Sequence, residues 1–275
     1  MAEIDAKLVM QLRNRTGLSM MECKKALQEA GGELDQAEDL LRKKLKGKMD
    51  ARTDRAAGQG RVGVAIAPDQ SAAAIVELRA ETDFTAKNEK FIAAASTAAQ
   101  AALAAAGAGP VPPSAPVTAA VDELRITTGE NCSYARGHKL AGTRGTSRFG
   151  SYVHHDGKTG VLVQAEGDVS DETLRQVCMH ITAAVPRPQG VSAKDVPAAA
   201  VEKERAFRIS QAMETGKPKE IAEKMVEGGM RKFFEEIALL EQPFVMDPAR
   251  KIKDVVGAGG TIVTFLRWQV GEAAG

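Results

Sequence analysis

Apolar residues recur at helical spacing through residues 2–46. Leu8, Val9 and Leu12 share one face, and Gly17 closes that segment. Ser19 and Glu22 stand at capping-box spacing before a second periodic run, Cys23, Ala26, Leu27 and Ala30, which Gly31-Gly32 ends. Leu34, Ala37, Leu40 and Leu41 carry a third helix. A bundle this short has a thin core, so it is expected to lean on another part of the chain. Lys43 to Arg55 is polar and basic and reads as a solvated helix tail and linker.

From Arg61 the period changes to that of strands. Arg61–Ala67 and Ala72–Arg79 flank Pro68-Asp69-Gln70, a β-hairpin pattern. A helix start follows within Glu81–Phe91, with Thr82 or Asp83 as N-cap, and an Ala-rich helix is expected to reach Ala106. Residues 107–116 are a Pro-rich loop, Thr118–Leu124 a short helix, and Arg125–Gly137 a turn plus strand. Arg148–His155 and Lys158–Ala165 form a second hairpin, whose Asp156-Gly157 turn suits type I′ geometry. A helix runs from about Ser170 to Val185, and a loop from Pro186 to Pro197. Ala198–Thr215 and Lys219–Glu236, joined by Gly216-Lys217-Pro218, read as an antiparallel helical hairpin with a Glu220–Lys224 pair. In it Val201, Ala212 and Met213 would face Ile221, Met225, Val226, Phe233 and Phe234. Asp247-Pro248 is read as an N-cap and N1 proline opening a short helix to Val256. Thr261–Val270 is a last strand, and the fold class is α+β.

The two strand blocks look like an internal duplication. Shifted by 87, the separation of Arg61 from Arg148, Gly63 falls on Gly150, Asp69 on Asp156, and Ile75-Val76 on Leu162-Val163. The pattern breaks at the helix start, where Asp83 falls on Ser170 and Phe84 on Asp171.

That break bears on Phe84. An aromatic at a helix start beside a carboxylate either folds back onto its own core as a staple or protrudes into a partner. Helix physics alone favours the staple. The second copy, which manages with an acid there, moves the weight toward function. Met20 and Met21, consecutive at a helix start, cannot both face one small core. Either one packs on the next domain or both contact a partner with adaptable side chains.

Composition narrows the chemistry. The 275 residues are 44% hydrophobic and 27% charged, with a formal net charge of +1, so there is no global pull toward nucleic acid or an acidic membrane. The 3 cysteines, Cys23, Cys132 and Cys178, lie far apart and suggest neither a disulfide framework nor a zinc site. No signal peptide or bilayer-length apolar run is read, so the cytoplasm is the expected compartment. Gly157-Lys158-Thr159 lacks the earlier P-loop glycine, since Tyr152 stands there. Gly257-Ala258-Gly259-Gly260 lacks the third glycine of a dinucleotide fingerprint, since Ile262 stands there. His154 and His155, adjacent on a strand, would face opposite sides, one toward the core, and make a poor metal pair. With His138 and His180 isolated and no catalytic constellation, the chain reads as a binding module rather than an enzyme, with no cofactor.

Three motifs together carry a resemblance. The run through Arg13-Asn14-Arg15-Thr16-Gly17-Leu18-Ser19-Met20-Met21-Glu22-Cys23-Lys24-Lys25-Ala26-Leu27, then Glu81-Thr82-Asp83-Phe84, then Gly216-Lys217-Pro218 through Glu241-Gln242-Pro243-Phe244-Val245 with Gly271-Glu272, resemble the signatures of the elongation factor Ts family. The resemblance covers nearly the whole chain. It implies a guanine-nucleotide exchange factor that binds elongation factor Tu, with or without GDP, and no membrane or direct nucleic-acid partner. It implies a ubiquitin-associated-like (UBA-like) three-helix domain over 1–54 and a core of two similar α+β subdomains. These would be 55–146, and 147–188 with 238–275, the helical hairpin 189–237 being inserted and serving some members as a dimerising coiled coil. By the family pattern Thr82, Asp83, Phe84 and Thr85 enter the GTPase near its magnesium and phosphates. Arg13, Met20 and Met21 contact the nucleotide domain, and His154 touches another domain of the GTPase. Thr85 departs from the usual Val, the loop near 110 looks long, and some members carry a further carboxyl-terminal helix. The competing class is a UBA-like interaction scaffold with a dimerising hairpin and no exchange activity.

Overall fold

The computed structural model describes residues 4–50, 53–214 and 219–272, the side chains at 48, 49 and 219–224 excepted. Helices α1 (Ala6–Thr16), α2 (Met20–Glu29) and α3 (Leu34–Asp50) come first. Asp5 caps α1, and Gly17, with φ 71°, ends it in the left-handed conformation. The expected capping box opens α2: the Glu22 amide donates to Ser19 Oγ at 3.3 Å and the Ser19 amide to Glu22 Oε2 at 3.4 Å. Val9, Leu12, Cys23, Ala26, Leu27, Ala37 and Leu41 form the bundle core.

Strands β1 (Gln59–Ile66) and β2 (Ala72–Ala80) lead into α4 (Asp83–Ala86) and α5 (Glu89–Ala104). A short β3 (Gly109–Pro110), α6 (Ala115–Thr128) and β4 (Ser133–Ala141) complete a sheet of order β1-β2-β4-β3. Then β5 (Ser147–Val153), β6 (Thr159–Gly167) and α7 (Asp171–Ala183) repeat the hairpin-and-helix unit. The helical hairpin is α8 (Ala198–Glu214) and α9 (Lys219–Ile237). A small pair, β7 (Pro243–Phe244) with β8 (Asp247–Lys251), precedes α10 (Ile252–Val256) and β9 (Gly260–Gln269), which joins a sheet of order β5-β6-β9.

The period-two alternation of the central strands builds the layers. In β2, Ala74, Val76 and Leu78 pack on Phe91, Ala95, Ala98 and Ala99 of α5, while Ala73 and Ile75 point the other way. In β6, Val161, Val163 and Ala165 pack on Leu174, Val177, Cys178 and Ile181 of α7, while Leu162 points back. The two sheets meet through Val62, Ala73, Ile75, Phe149, Leu162 and Val270. Helices therefore cover the outer face of each sheet.

The duplication extends to register. Gly63 opposes Val76 in the first hairpin and Gly150 opposes Val163 in the second, both under the same shift of 87. The outer pairing slips at Glu77/Leu78 in one sheet and at Gln164/Ala165 in the other, again equivalent positions. Both glycines admit a helix closely: a Cβ on Gly63 would lie 2.4 Å from the Ala95 carbonyl oxygen, and one on Gly150 2.4 Å from Leu174 Cβ.

Between the sheets lies a buried charge cluster. The Glu77 carboxylate, fully buried, accepts from Arg79 Nε and Arg136 Nε at 2.7 Å each and from the Gly271 amide at 3.0 Å. The Arg136 guanidinium lies 4.5 Å over the Trp268 ring. Arg79 and Arg136 also donate to the carbonyls of Glu272 and Gln269. This cluster fastens the end of β9 against β2.

The thin bundle leans on α6, as its size demands. Ile126 packs against its core, Lys46 pairs with Asp122 at 3.0 Å, and Arg125 with Asp50 at 3.2 Å.

Several sequence expectations are corrected. The helix after β2 is two helices, because Asn88 takes an extended conformation (φ −66°, ψ 138°) and caps α5 anew through Lys90. Helix α6 spans Ala115–Thr128, beyond both ends of the expected Thr118–Leu124 segment, and α7 ends at Ala183. Asp247-Pro248 opens no helix: the residues enter β8 after a tight reversal, with Asp247 Oδ1 accepting from the Ala249 amide. Helix α10 starts after Lys251, whose amide donates to Asp254 Oδ2 at 3.0 Å. The Asp156-Gly157 turn is not type I′, which needs positive φ at both central residues, and only Gly157 has it. His154 and His155 lie beyond the end of β5, ring centroids 4.2 Å apart, one half-buried and one exposed, so neither enters the core. In the helical hairpin Met213 and Met225 are half exposed, and Val226 and Met230 carry the buried stripe. Gly216-Lys217-Pro218 and the side chains of Ile221 and the Glu220–Lys224 pair lie outside the described residues.

Candidate functional site

The chain leaves β2 at Ala80 and turns outward at Thr82, which is extended (φ −119°, ψ 156°) and caps α4. Thr82 Oγ1 accepts from the Thr85 amide at 3.3 Å. Thr85 and Ala86 are buried against the hairpin, so the opposite side of this single turn faces out. Phe84 sits there with 83% of its surface exposed. The staple alternative therefore fails: nothing of the chain's own core covers this ring.

Asp83 flanks it. Its carboxylate accepts from Lys87 Nζ at 2.6 Å, one turn on. That hydrogen bond, first, and the positive charges of Lys87 and Lys158 hold the carboxyl below the usual carboxylate range, with desolvation opposing them. Asp83 is therefore an anion at neutral pH. Lys158 belongs to the β5–β6 turn, where Asp156 Oδ1 accepts from its amide at 2.8 Å and faces His154 Nδ1 at 3.2 Å. The Gly157 carbonyl accepts from the Val62 amide at 2.9 Å, tying this turn to β1.

The start of α4 is held from outside. Glu130, in the loop between α6 and β4, accepts from Thr82 Oγ1 at 2.6 Å and from the Thr82 amide at 3.0 Å. Glu81 in turn accepts from the Asn131 amide at 2.7 Å and pairs with Arg55 at 3.5 Å. Asn131 Nδ2 donates to the carbonyls of Thr53 and Arg55, which follow the bundle. Sequence reading missed this loop, because its contacts span 48 positions or more and no local period marks them.

The predicted site residues fall on three elements. Thr82, Asp83, Phe84 and Thr85 are one turn, with Thr85 turned inward. His154 stands on the turn that carries Lys158. Arg13, Met20 and Met21 are exposed on the bundle, at the end of α1 and the start of α2. Met21 is 70% exposed, so the reading in which it packs on the next domain fails for that residue. No group of acidic, histidine or cysteine side chains suited to a metal occurs among the described residues, and no helix among them is long and apolar enough to cross a membrane.

A second concave region, about 560 Å³, lies between the end of α7 and the foot of α9. Its His180 is fully committed: Nε2 donates to Gln242 Oε1 at 2.9 Å while Nδ1 accepts from the Val245 amide at 3.3 Å. Burial lowers its pKa from 6.5, the Gln242 hydrogen bond opposing. The group joins α7 to the β7–β8 segment and is structural.

An exposed aromatic beside an anion, on a two-sheet body joined to a helical bundle, is a surface suited to a protein partner. Comparison with known proteins makes this specific. The family model described as Elongation factor TS matches residues 81–272. Curated relatives named Elongation factor Ts align almost end to end. That of Actinobacillus succinogenes is 42% identical over 273 residues, covering 99% of this chain and 93% of the relative. That of Haemophilus ducreyi is 43% identical over 273 residues with the same coverage. That of Gluconobacter oxydans is 42% identical over 288 residues. The chain belongs to the elongation factor Ts family, and so to the factors of translation elongation.

Proposed function

We propose that this chain is the guanine-nucleotide exchange factor of its cell's elongation factor Tu, acting in the cytoplasm without catalysing a covalent reaction. The observation that carries the reading is Phe84, exposed at a capped helix start beside the Asp83 anion. In the second unit, Ser170 caps α7 and is followed by Asp171 and Glu172. The architecture thus manages without an aromatic at that place.

In this reading Asp83 and Phe84 enter the GTPase and displace side chains that order its magnesium and phosphates. Thr82 and Thr85 hold the turn. Arg13, Met20 and Met21 contact the nucleotide domain, and His154 a further domain. Accelerating release by about 10³–10⁵ requires a barrier reduction of about 4–7 kcal/mol. Burying one Phe supplies roughly 1.5–3 kcal/mol. The wedge therefore acts with a broad interface, above about 1,000 Å², drawn from the bundle and both core units. By reciprocity, an interface that weakens GDP binding is itself weakened when nucleotide returns.

The corresponding division is a bundle over 1–54, core units over 55–146 and over 147–188 with 238–275, and a hairpin over 189–237. Phe207, 61% exposed on α8, supports the hairpin as a homodimer contact.

The test is release of a fluorescent GDP from elongation factor Tu with this chain and with Phe84→Ala. A wild-type chain that does not accelerate release leaves the scaffold reading standing. An unchanged rate with Phe84→Ala removes the wedge.

A further inference from the structure

We propose that Glu130 is a positioning residue for exchange, acting through Thr82 to aim the Asp83–Phe84 turn. The proposal rests on the wedge reading above and adds the part of the chain that holds the wedge still.

Helix α4 has four residues. Its own ladder is short, with the Ala86 and Lys87 amides reaching the Thr82 and Asp83 carbonyls. A helix of this length has no independent stability in water. Its downstream end is released at Asn88, which starts a new helix. Its upstream end is Thr82, and both Thr82 donors go to the one Glu130 carboxylate. With its hydroxyl proton directed to Glu130, Thr82 Oγ1 presents a lone pair to the Thr85 amide. Glu130 thus selects the rotamer in which the cap is made.

The loop holding Glu130 is itself fixed. The Glu130 amide donates to Thr128 Oγ1, the Cys132 amide to the Glu130 carbonyl, and the Asn131 amide to Glu81. Residues 81–82 and 130–131 therefore grip each other reciprocally. Through Asn131 the same loop also holds the carbonyls of Thr53 and Arg55. One loop sets the wedge against the segment that leads from the bundle.

The second unit shows that this carboxylate is not a requirement of the fold. There Ser170 caps α7 through Thr173 alone, with the Thr173 amide at 3.1 Å and its hydroxyl at 3.0 Å. Among the described residues no distant carboxylate reaches Ser170. That helix buries its own long face and exposes no aromatic at its start. The external hold occurs where an exposed ring stands on a single turn.

The experiment compares the full chain with Glu130→Ala, Glu130→Gln, Phe84→Ala and the double variant Glu130→Ala/Phe84→Ala. Release of fluorescent GDP from elongation factor Tu is followed over a range of factor concentrations. Glu130→Ala should lower the maximal rate by roughly 3- to 30-fold, the span that loss of a helix cap commands, with the half-saturating concentration nearly unchanged. Glu130→Gln, which keeps the shape and one acceptor oxygen, should fall between. In the Phe84→Ala background Glu130→Ala should cost less than it does in the wild-type chain, since only Asp83 is then left to be aimed. Hydrogen exchange of the Thr82 and Thr85 amides in the free protein should quicken in Glu130→Ala while that of the β2 amides does not.

If Phe84→Ala slows release and neither Glu130 variant does, this proposal is overturned and the wedge stands. A Glu130→Ala effect that is undiminished without Phe84, or that raises only the half-saturating concentration, also overturns it. If Phe84→Ala is silent, the wedge fails, and the positioning role fails with it.

Discussion

Phe84 and Phe91 lie seven positions apart and have opposite environments: one ring is 83% exposed, the other fully buried between α5 and its sheet. The break at Asn88 separates them, since it turns the chain between the two rings. One aromatic belongs to the core, and the other stands in the open.

Truncating each ring should separate stability from activity. Phe91→Ala should cost about 3–5 kcal/mol of unfolding free energy, as large core truncations do. Phe84→Ala should stay within about 0.5 kcal/mol of wild type in urea unfolding. A Phe84→Ala protein that melts far below wild type would mean the ring covers a core after all.

The buried carboxylate of Glu77 should be among the costliest groups to remove. Glu77→Ala leaves Arg79 and Arg136 without their shared partner, and breaking a buried pair from one side costs about 3–5 kcal/mol. Chemical denaturation reads the loss. A change of less than about 1 kcal/mol would show that solvent reaches the guanidinium groups.

Acidification should weaken the fold before most carboxylates titrate. His180 and His138 both have pKa values pushed below 6.5 by burial. Below about pH 6.5 the unfolded chain takes protons that the folded chain refuses, so stability is full above that value and falls as pH drops. Each group contributes a slope of at most about 1.4 kcal/mol per pH unit. His180→Gln should flatten the slope between about pH 7 and 5.5 in melting curves, and an unaltered slope would assign the effect elsewhere.

The paired glycines should resist a methyl group in both units. Gly63→Ala drives a Cβ toward a backbone carbonyl, and Gly150→Ala toward the Leu174 side chain. Overpacking of this kind costs about 1–3 kcal/mol. The two should be comparably damaging, because Leu174 Cβ is fixed by its backbone much as the Ala95 carbonyl is. Thermal melts of the two variants check this.

Much of this was legible along the chain because its causes are local. The helical spacing of Leu8, Val9 and Leu12, the Ser19–Glu22 box and the alternation in Ala72–Arg79 each act within a few residues, and each element forms where its pattern stands. The errors share another cause. Asp247-Pro248 has the chemistry of a helix start, but pairing with Phe244 and the hold of Gln242 on the Ile252 amide outweigh it. Asn88 divides a run whose alanines favour one continuous helix. The exposed half of the site, Phe84, was suggested by its mismatch with the second copy. The half that holds it, Glu130 and Asn131, is fixed by contacts between the end of β2 and the start of β4, far apart in sequence, and leaves no periodic trace.

The two differently packed faces of β2 and β6 constrain how these strands can vary in length, whereas their partners β4 and β9 each carry one extra residue at the slips, Ala135 and Val263. A single added or lost residue in an antiparallel strand exchanges its two faces. In β2 or β6 that would put the Ala73 and Ile75 set, or Leu162, beneath helices and carry the helix-facing residues to the join between the sheets. Neither interface could absorb the exchange, and Glu77 would be drawn from its arginines. Changes in length are therefore expected in the hairpin turns rather than within β2 and β6, which have nine residues each.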